Sequence, residues 1–109
     1  MAEAHFHWLW PTFTINVMPG APNLTAFYFI PLAPDRTLTI SDSFYAEDLS
    51  EQEIAAMREF GNQVFVEDQG LVESIQRAAA SGGLTEGRLM LSSEHLIQHF
   101  QRLVERALA

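Results

Sequence analysis

The 109-residue chain contains no cysteine and no lysine. Without cysteine it can form no disulfide, thiol nucleophile, zinc ribbon or iron–sulfur cluster of its own. Its positive charge comes only from arginine, and six basic residues against 14 acidic ones give a formal net charge of −8. An acidic chain without a basic patch argues against nucleic acid or an anionic membrane as a partner.

Long apolar runs are also missing from the chain. No segment approaches the roughly 18 apolar residues that a membrane span requires, and the first residues, MAEAHF, lack a basic export signal. The cytoplasm is therefore the default location. Hydrophobic residues make up 48% of the chain and charged residues 18%, which is typical of one globular domain or a part of one.

Alternating apolar residues predict a sheet over about residues 5–46. The segment HFHWLWPTFTINVM changes the parity of its apolar residues at Pro11, which predicts one strand with a bulge or an edge position there. A second strand is expected at 24–32 and a third at 37–44, joined by a tight turn. Three sequential strands with short connections predict an antiparallel meander.

The hydrophobic period then changes to that of a helix. Ser50 and Glu53 have the spacing of a capping box, so a long helix is predicted over about 50–80. A break or bend at Gly61 is left open. Ser81-Gly82-Gly83 is expected to end this helix.

A second cap signal, at Ser92, predicts a C-terminal helix over about 92–108. The predicted fold class is therefore α+β: an antiparallel sheet of about three strands, followed by a long helix and a C-terminal helix.

One carboxylate lies inside the apolar stripe of the long helix. At about 100° per residue, Val64 lies one turn before Asp68 and Val72 one turn after it, on the same side. An unpaired carboxylate in apolar surroundings is costly, so it is protonated, paired or bound to a cation. Two interpretations remain open. Asp68 is a core aspartate satisfied by other donors, such as Arg58 or Arg88, or it is a metal ligand or general base facing a cavity.

The residues around Asp68 resemble those of one particular family. The matching residues in the second half are Asp68, Leu71, Val72, Glu73, Gln76, Ser81-Gly82, Gly87-Arg88, Glu94 and His99-Phe100. The segments PTFTINVMPG and PLAPDRT precede them in the family's order. From about His7 to Leu108, the chain resembles the C-terminal part of the catalytic domain of Rieske-type aromatic-ring-hydroxylating oxygenase large (α) subunits.

The resemblance implies that residues 1–109 form a single partial catalytic domain with a partial helix-grip (START/Bet v 1-like) fold. It implies a mononuclear non-haem Fe(II) between sheet and helix, held by two histidines and one carboxylate, with Asp68 as that carboxylate. The candidate substrate-pocket residues flank it on the helix: Val64, Phe65, Leu71 and Val72.

Much of the family's machinery is absent from these residues. The two iron histidines of the family, in an Asp-x-x-His spacing followed by a second histidine, have no match, and neither does the Rieske domain with its [2Fe–2S] cluster. His5 and His7 point the same way if they lie on a strand, and with Asp68 they offer an alternative triad; the other interpretation is a solvent-facing pair near the terminus.

The resemblance therefore implies a portion of an oxidoreductase that is inactive alone. The complete enzyme would activate dioxygen and add one or two oxygen atoms to an organic substrate, aromatic or otherwise. Its implied partners are the missing N-terminal part or another subunit, a second copy of the chain, and a reductase or ferredoxin. The alternative function is a non-catalytic helix-grip-like module that binds a hydrophobic ligand or a partner chain, or an inactive gene fragment.

Overall fold

The computed structural model of the chain describes residues 2–84, 86–90 and 92–109. Within these residues, four strands precede two helices, which confirms the predicted α+β fold class. The elements are β1 (His5–Leu9), β2 (Phe13–Val17), β3 (Asn23–Ala33), β4 (Arg36–Tyr45), α1 (Glu51–Ala80) and α2 (His95–Leu108). The strands form one antiparallel sheet in the order β1-β2-β3-β4, which is the predicted meander with one strand more.

The additional strand arises at Pro11, and the prediction of a single bulged strand there is wrong. β1 and β2 form a hairpin in which His5 pairs with Val17 and Leu9 with Phe13. Proline has no N–H to donate to a ladder, so the chain turns at this point rather than continuing. The Trp10–Pro11 peptide bond is cis. The apolar residues change parity because they belong to two strands and lie on opposite faces of the sheet.

The register gives the sheet two distinct faces, because residues directly opposite each other on paired strands share a face. One, here called the Tyr28 face, carries Leu9, Phe13, Ile15, Val17, Leu24, Ala26, Tyr28, Ile30, Leu38, Ile40 and Phe44, with His5 and His7 on β1. The Phe13 and Tyr28 ring centroids on it are 4.8 Å apart. The opposite face carries Phe27 and Phe29 beside polar β4 residues, and there the Thr25 and Ser43 hydroxyls are hydrogen-bonded at 3.2 Å.

The capping box predicted at the start of α1 is confirmed. The Ser50 N–H donates to Glu53 Oε2 at 2.9 Å, and the Glu53 N–H donates back to Ser50 Oγ at 3.3 Å. The helix continues through Gly61 without a break. At its end the Gly82 N–H donates to the Ala79 carbonyl and the Gly83 N–H to that of Ala78, which is a Schellman motif. Gly82 adopts the positive φ of 74° that this motif requires.

Helix α2 begins three residues later than predicted, at His95 rather than Ser92. Before it, the Ser93 and Glu94 N–H groups instead donate to the Met90 carbonyl. The Glu94 carboxylate in turn accepts the Met90 N–H at 2.6 Å. Ser92 therefore does not start the helix. Instead the side chain of Glu94, immediately before the helix, accepts a hydrogen bond from Met90.

The chain divides into two compact units, one ending at Leu71 and the other beginning at Val72. The first contains the sheet and the larger part of α1; the second contains the end of α1 and α2. Among the described residues Ala26, in the centre of the sheet, is the only buried one. In the same described ranges, neither helix is long and apolar enough to cross a membrane.

Candidate functional site

Asp68 lies beyond the middle of α1, on the side of the helix that carries its large apolar residues. Helical geometry places Val64 and Val72 within about 40° of it around the axis, and Phe65 and Leu71 within about 60°. The predicted grouping of one carboxylate with four apolar side chains on α1 therefore follows from the continuous helix. The capping box and the Schellman motif at its two ends set the limits of that helix.

The side chains of this group are all exposed. The exposed fraction is 40% for Val64, 46% for Phe65, 62% for Leu71 and 65% for Val72, and Asp68 is exposed as well. Asp68 makes no hydrogen bond or ion pair with any other described residue. The apolar stripe predicts a carboxylate facing inward, whereas in the structure the carboxylate and its apolar neighbours are all exposed to solvent. Large exposed apolar patches are typical of surfaces that a partner or a ligand covers.

The two arginines considered as partners of Asp68 do not pair with it in the described part of the chain. Arg58 instead places its guanidinium over the Tyr45 ring, 5.6 Å from the ring centroid. Arg88 lies in the segment after α1 and is exposed. The interpretation of Asp68 as a core aspartate neutralised by one of these arginines therefore has no support in the structure.

The histidines of β1 lie side by side, as their spacing on a strand predicts. The rings of His5 and His7 are parallel within 5° and their centroids are 6.3 Å apart. No group of three or more histidine, aspartate or glutamate side chains among the described residues can hold a metal ion. The alternative triad of His5, His7 and Asp68 is therefore wrong. The described residues therefore do not make a complete iron site by themselves.

Asp42 is a charged residue that the strand pattern alone did not single out. Asp42 lies between Ile40 and Phe44 on β4 and opposite Ala26 on β3, so it lies on the Tyr28 face among apolar residues. The signal was present in the alternation of β4, where apolar residues occupy positions 38, 40 and 44 and an aspartate occupies position 42. A carboxylate at an apolar position of a strand is as notable as one in the stripe of a helix.

Comparisons with known proteins agree with the resemblance of the motifs. The family model described as "Ring hydroxylating alpha subunit (catalytic domain)" matches residues 2–109. The carnitine monooxygenase oxygenase subunit of Acinetobacter baumannii is 36% identical over 110 residues, which cover 94% of this chain and 30% of that protein. The subunit of the same name from Escherichia coli (strain K12) is 35% identical over 112 residues, with the same coverage. No solved structure matches the chain significantly.

The chain thus spans 30% of the length of the curated relatives it matches. The family match extends over nearly every residue, including the sheet, Asp68 and both helices. The chain belongs to the family of ring-hydroxylating oxygenase α subunits and corresponds to part of their catalytic domain.

Proposed function

We propose that this chain is the portion of an oxygenase catalytic domain in which Asp68 supplies the carboxylate ligand of a mononuclear non-haem iron. The observation that carries the proposal is the position of Asp68, one turn from Val64 and one turn from Val72 on the same side of α1. A carboxylate without a partner among the described residues, surrounded by apolar side chains, is suited to bind a cation once that surface is covered.

The iron site would be completed by groups from outside the described residues, because these residues contain no cluster of three metal-binding side chains. Two histidines would come from the remainder of a longer protein or from another chain. An iron held by two histidines and a carboxylate keeps positions open for dioxygen and substrate. The Rieske [2Fe–2S] cluster would also lie elsewhere, since the chain has no cysteine.

The apolar residues beside Asp68 would form one wall of the substrate pocket. Val64 and Phe65 precede it and Leu71 and Val72 follow it, so the carboxylate would be surrounded by side chains that exclude water when covered. Water exclusion strengthens the electrostatic attraction between a carboxylate and a cation, because the local dielectric constant falls. These four side chains would therefore strengthen the binding of the cation by Asp68 as well as contact the substrate.

The names of the relatives support a proposal about the substrate. Both are named as oxygenase subunits of carnitine monooxygenase, and carnitine carries a quaternary ammonium group. The enzyme containing this chain would accordingly add one oxygen atom to an organic ammonium compound, in the cytoplasm. Electrons would reach it from a reductase, directly or through a ferredoxin, by way of the Rieske cluster.

The test is iron retention by the chain assembled with the histidine-bearing remainder of the domain. Asp68→Ala should abolish retention of iron through desalting while the helix content, measured by circular dichroism, is unchanged. Glu67→Ala is the matched control, because Glu67 is the adjacent carboxylate on another side of α1 and is held by Gln63 at 3.1 Å. If Asp68→Ala retains as much iron as Glu67→Ala, the assignment of Asp68 is wrong.

A second candidate function is a non-catalytic module that covers its apolar stripe with a partner chain. The exposure of Val64, Leu71 and Val72 favours it, because large apolar patches rarely stay open to water. This candidate predicts binding without any dependence on metal. Measuring the iron content of the assembled protein with and without Asp68 therefore distinguishes the two.

A further inference from the structure

The Tyr28 face of the sheet contains a charged residue that the proposed function does not use. β4 pairs with β3 so that Asp42 lies directly opposite Ala26, with Tyr28 opposite Ile40 and Leu24 opposite Phe44. Because opposite residues share a face, the Asp42 carboxylate belongs to the apolar face. The hydroxyl contact between Thr25 and Ser43 confirms that the neighbouring odd-numbered β4 residue points the other way.

Asp42 has no partner among the described residues. It makes no hydrogen bond and no ion pair there, and its side chain is exposed. Its opposite neighbour, Ala26, has a side chain too small to screen it. A carboxylate on an apolar face is costly once that face is covered, unless a cation accompanies it.

The surroundings of Asp42 are aromatic. Phe44 follows it on the same face of β4 and is 60% exposed, and Tyr28 lies diagonally across on β3 and is 42% exposed. Diagonal positions on paired strands are within reach of aromatic side chains. The Tyr28 ring is tilted by 48° against the Phe13 ring at 4.8 Å, which supports its position from the side away from Asp42.

A carboxylate flanked by aromatic rings has the chemistry that recognises an organic cation. The faces of aromatic rings attract quaternary ammonium groups, which cannot donate a hydrogen bond and bind poorly to purely polar sites. The carboxylate adds a full negative charge, and the net charge of −8 of the chain favours the approach of cations.

A structural role for Asp42 is the competing explanation. β4 is at one edge of the four-stranded sheet, and charged residues pointing toward the apolar face of an edge strand hinder pairing with other chains. Such a protective charge requires no aromatic neighbours and is indifferent to small ligands. Ligand binding therefore separates the two roles.

We propose that Asp42, with Tyr28 and Phe44, forms a recognition site for the quaternary ammonium group of the substrate. This inference rests on the proposed function, since it assigns the part of the chain that selects an ammonium substrate for that oxygenase. It concerns the sheet, whereas the iron ligand belongs to α1.

The experiment titrates the 109-residue chain, without iron, with choline and with its uncharged isostere 3,3-dimethylbutan-1-ol, and follows backbone amide shifts by NMR. Choline should bind about fivefold more tightly than the isostere, with saturable shifts at residues 26–28 and 40–44. Asp42→Asn should remove this preference, and Asp42→Glu should keep it. Asp35→Asn, in the turn of the same hairpin, is the matched control and should leave the preference unchanged.

The proposal is overturned if choline causes no amide shifts, if choline and the isostere bind equally well, or if Asp42→Asn still prefers choline over the isostere. Each variant's dispersed amide spectrum verifies its fold in the same measurement. Because these titrations contain no iron, their failure is distinct from that of the proposed function, which is judged by iron retention in Asp68→Ala.

Discussion

The Arg58 guanidinium lies over the ring of Tyr45, with its central carbon 5.6 Å from the ring centroid. Tyr45 is the last residue of β4, and Arg58 belongs to the second turn of α1. The contact therefore joins the sheet to the helix that carries Asp68, within one compact unit.

Replacing Arg58 by alanine should lower the free energy of unfolding by about 0.5–1 kcal/mol, the usual size of an exposed cation–π contact. Arg58→Lys should recover part of this loss, because the cation remains. Arg88→Ala is the control, since Arg88 is an exposed arginine outside the helices. Urea unfolding followed by circular dichroism measures the differences, and equal stability of the Arg58→Ala and Arg88→Ala variants would contradict the role of the contact.

Removing the Ser50 hydroxyl should destabilise the start of α1. The Ser50→Ala variant loses the acceptor of the Glu53 N–H, and the loss of an N-cap of this kind costs about 1 kcal/mol. Ser92→Ala is the matched control, because α2 begins at His95 and Ser92 does not cap it. The thermal midpoint should therefore fall for Ser50→Ala and stay unchanged for Ser92→Ala. A larger fall of the thermal midpoint for Ser92→Ala than for Ser50→Ala would show that the caps are assigned wrongly.

The capping box should also make stability depend on pH. The side-chain hydrogen bond from Ser50, aided by the backbone one, holds the pKa of Glu53 below its ordinary value. Because the folded pKa is the lower one, this contribution is complete above the unfolded pKa and is lost as the pH falls through the folded pKa. Glu53→Gln should remove that part of the acid dependence of unfolding, whereas Glu59→Gln should not. Identical acid profiles of the two variants would contradict the assignment.

Asn23 should be needed for the loop between β2 and β3. Its Oδ1 accepts the Met18 N–H at 2.9 Å, and its Nδ2 donates to the Met18 carbonyl at 3.0 Å and the Ala21 carbonyl at 2.7 Å. Asn23→Ala should lower the free energy of unfolding, measured with urea, by about 1–2 kcal/mol, since the net contribution of each hydrogen bond is about 1 kcal/mol or less. Asn23→Asp keeps only the accepting bond and should be intermediate between wild type and Asn23→Ala. Asn62→Ala, exposed on α1, serves as the control, and a loss as large there would argue against the loop contact.

The open stripe of α1 should drive self-association of the chain when no partner is supplied. Val72 and Ile75 are 65% and 56% exposed and lie within about 40° of Asp68 around the helix. The Val72→Gln/Ile75→Gln double variant should reduce the concentration-dependent mass measured by light scattering. Val66→Gln, 67% exposed on the opposite side of α1, should leave it unchanged. Equal effects would mean that association does not use the stripe.

The helices were the most predictable part of the fold. Ser50, Glu53 and Gly82 act on backbone groups within a few residues, so their effect is readable from sequence spacing alone. The same holds for the place of Asp68 among its neighbours, because helical periodicity is local. The exposure of Asp68 could not be predicted, because it depends on what covers the apolar stripe of α1.

The amino-acid sequence by itself therefore determined the features that are encoded locally. These are the α+β class, the long helix, the family motifs and the side of α1 on which Asp68 lies. Three others depended on how separate elements meet in space: the chain reversal at Pro11, the register that places Asp42 opposite Ala26, and the position of Arg58 over Tyr45. The physical reason is that caps and periodicity act over a few residues. Strand register and ring contacts instead require atoms far apart in the chain to meet in space.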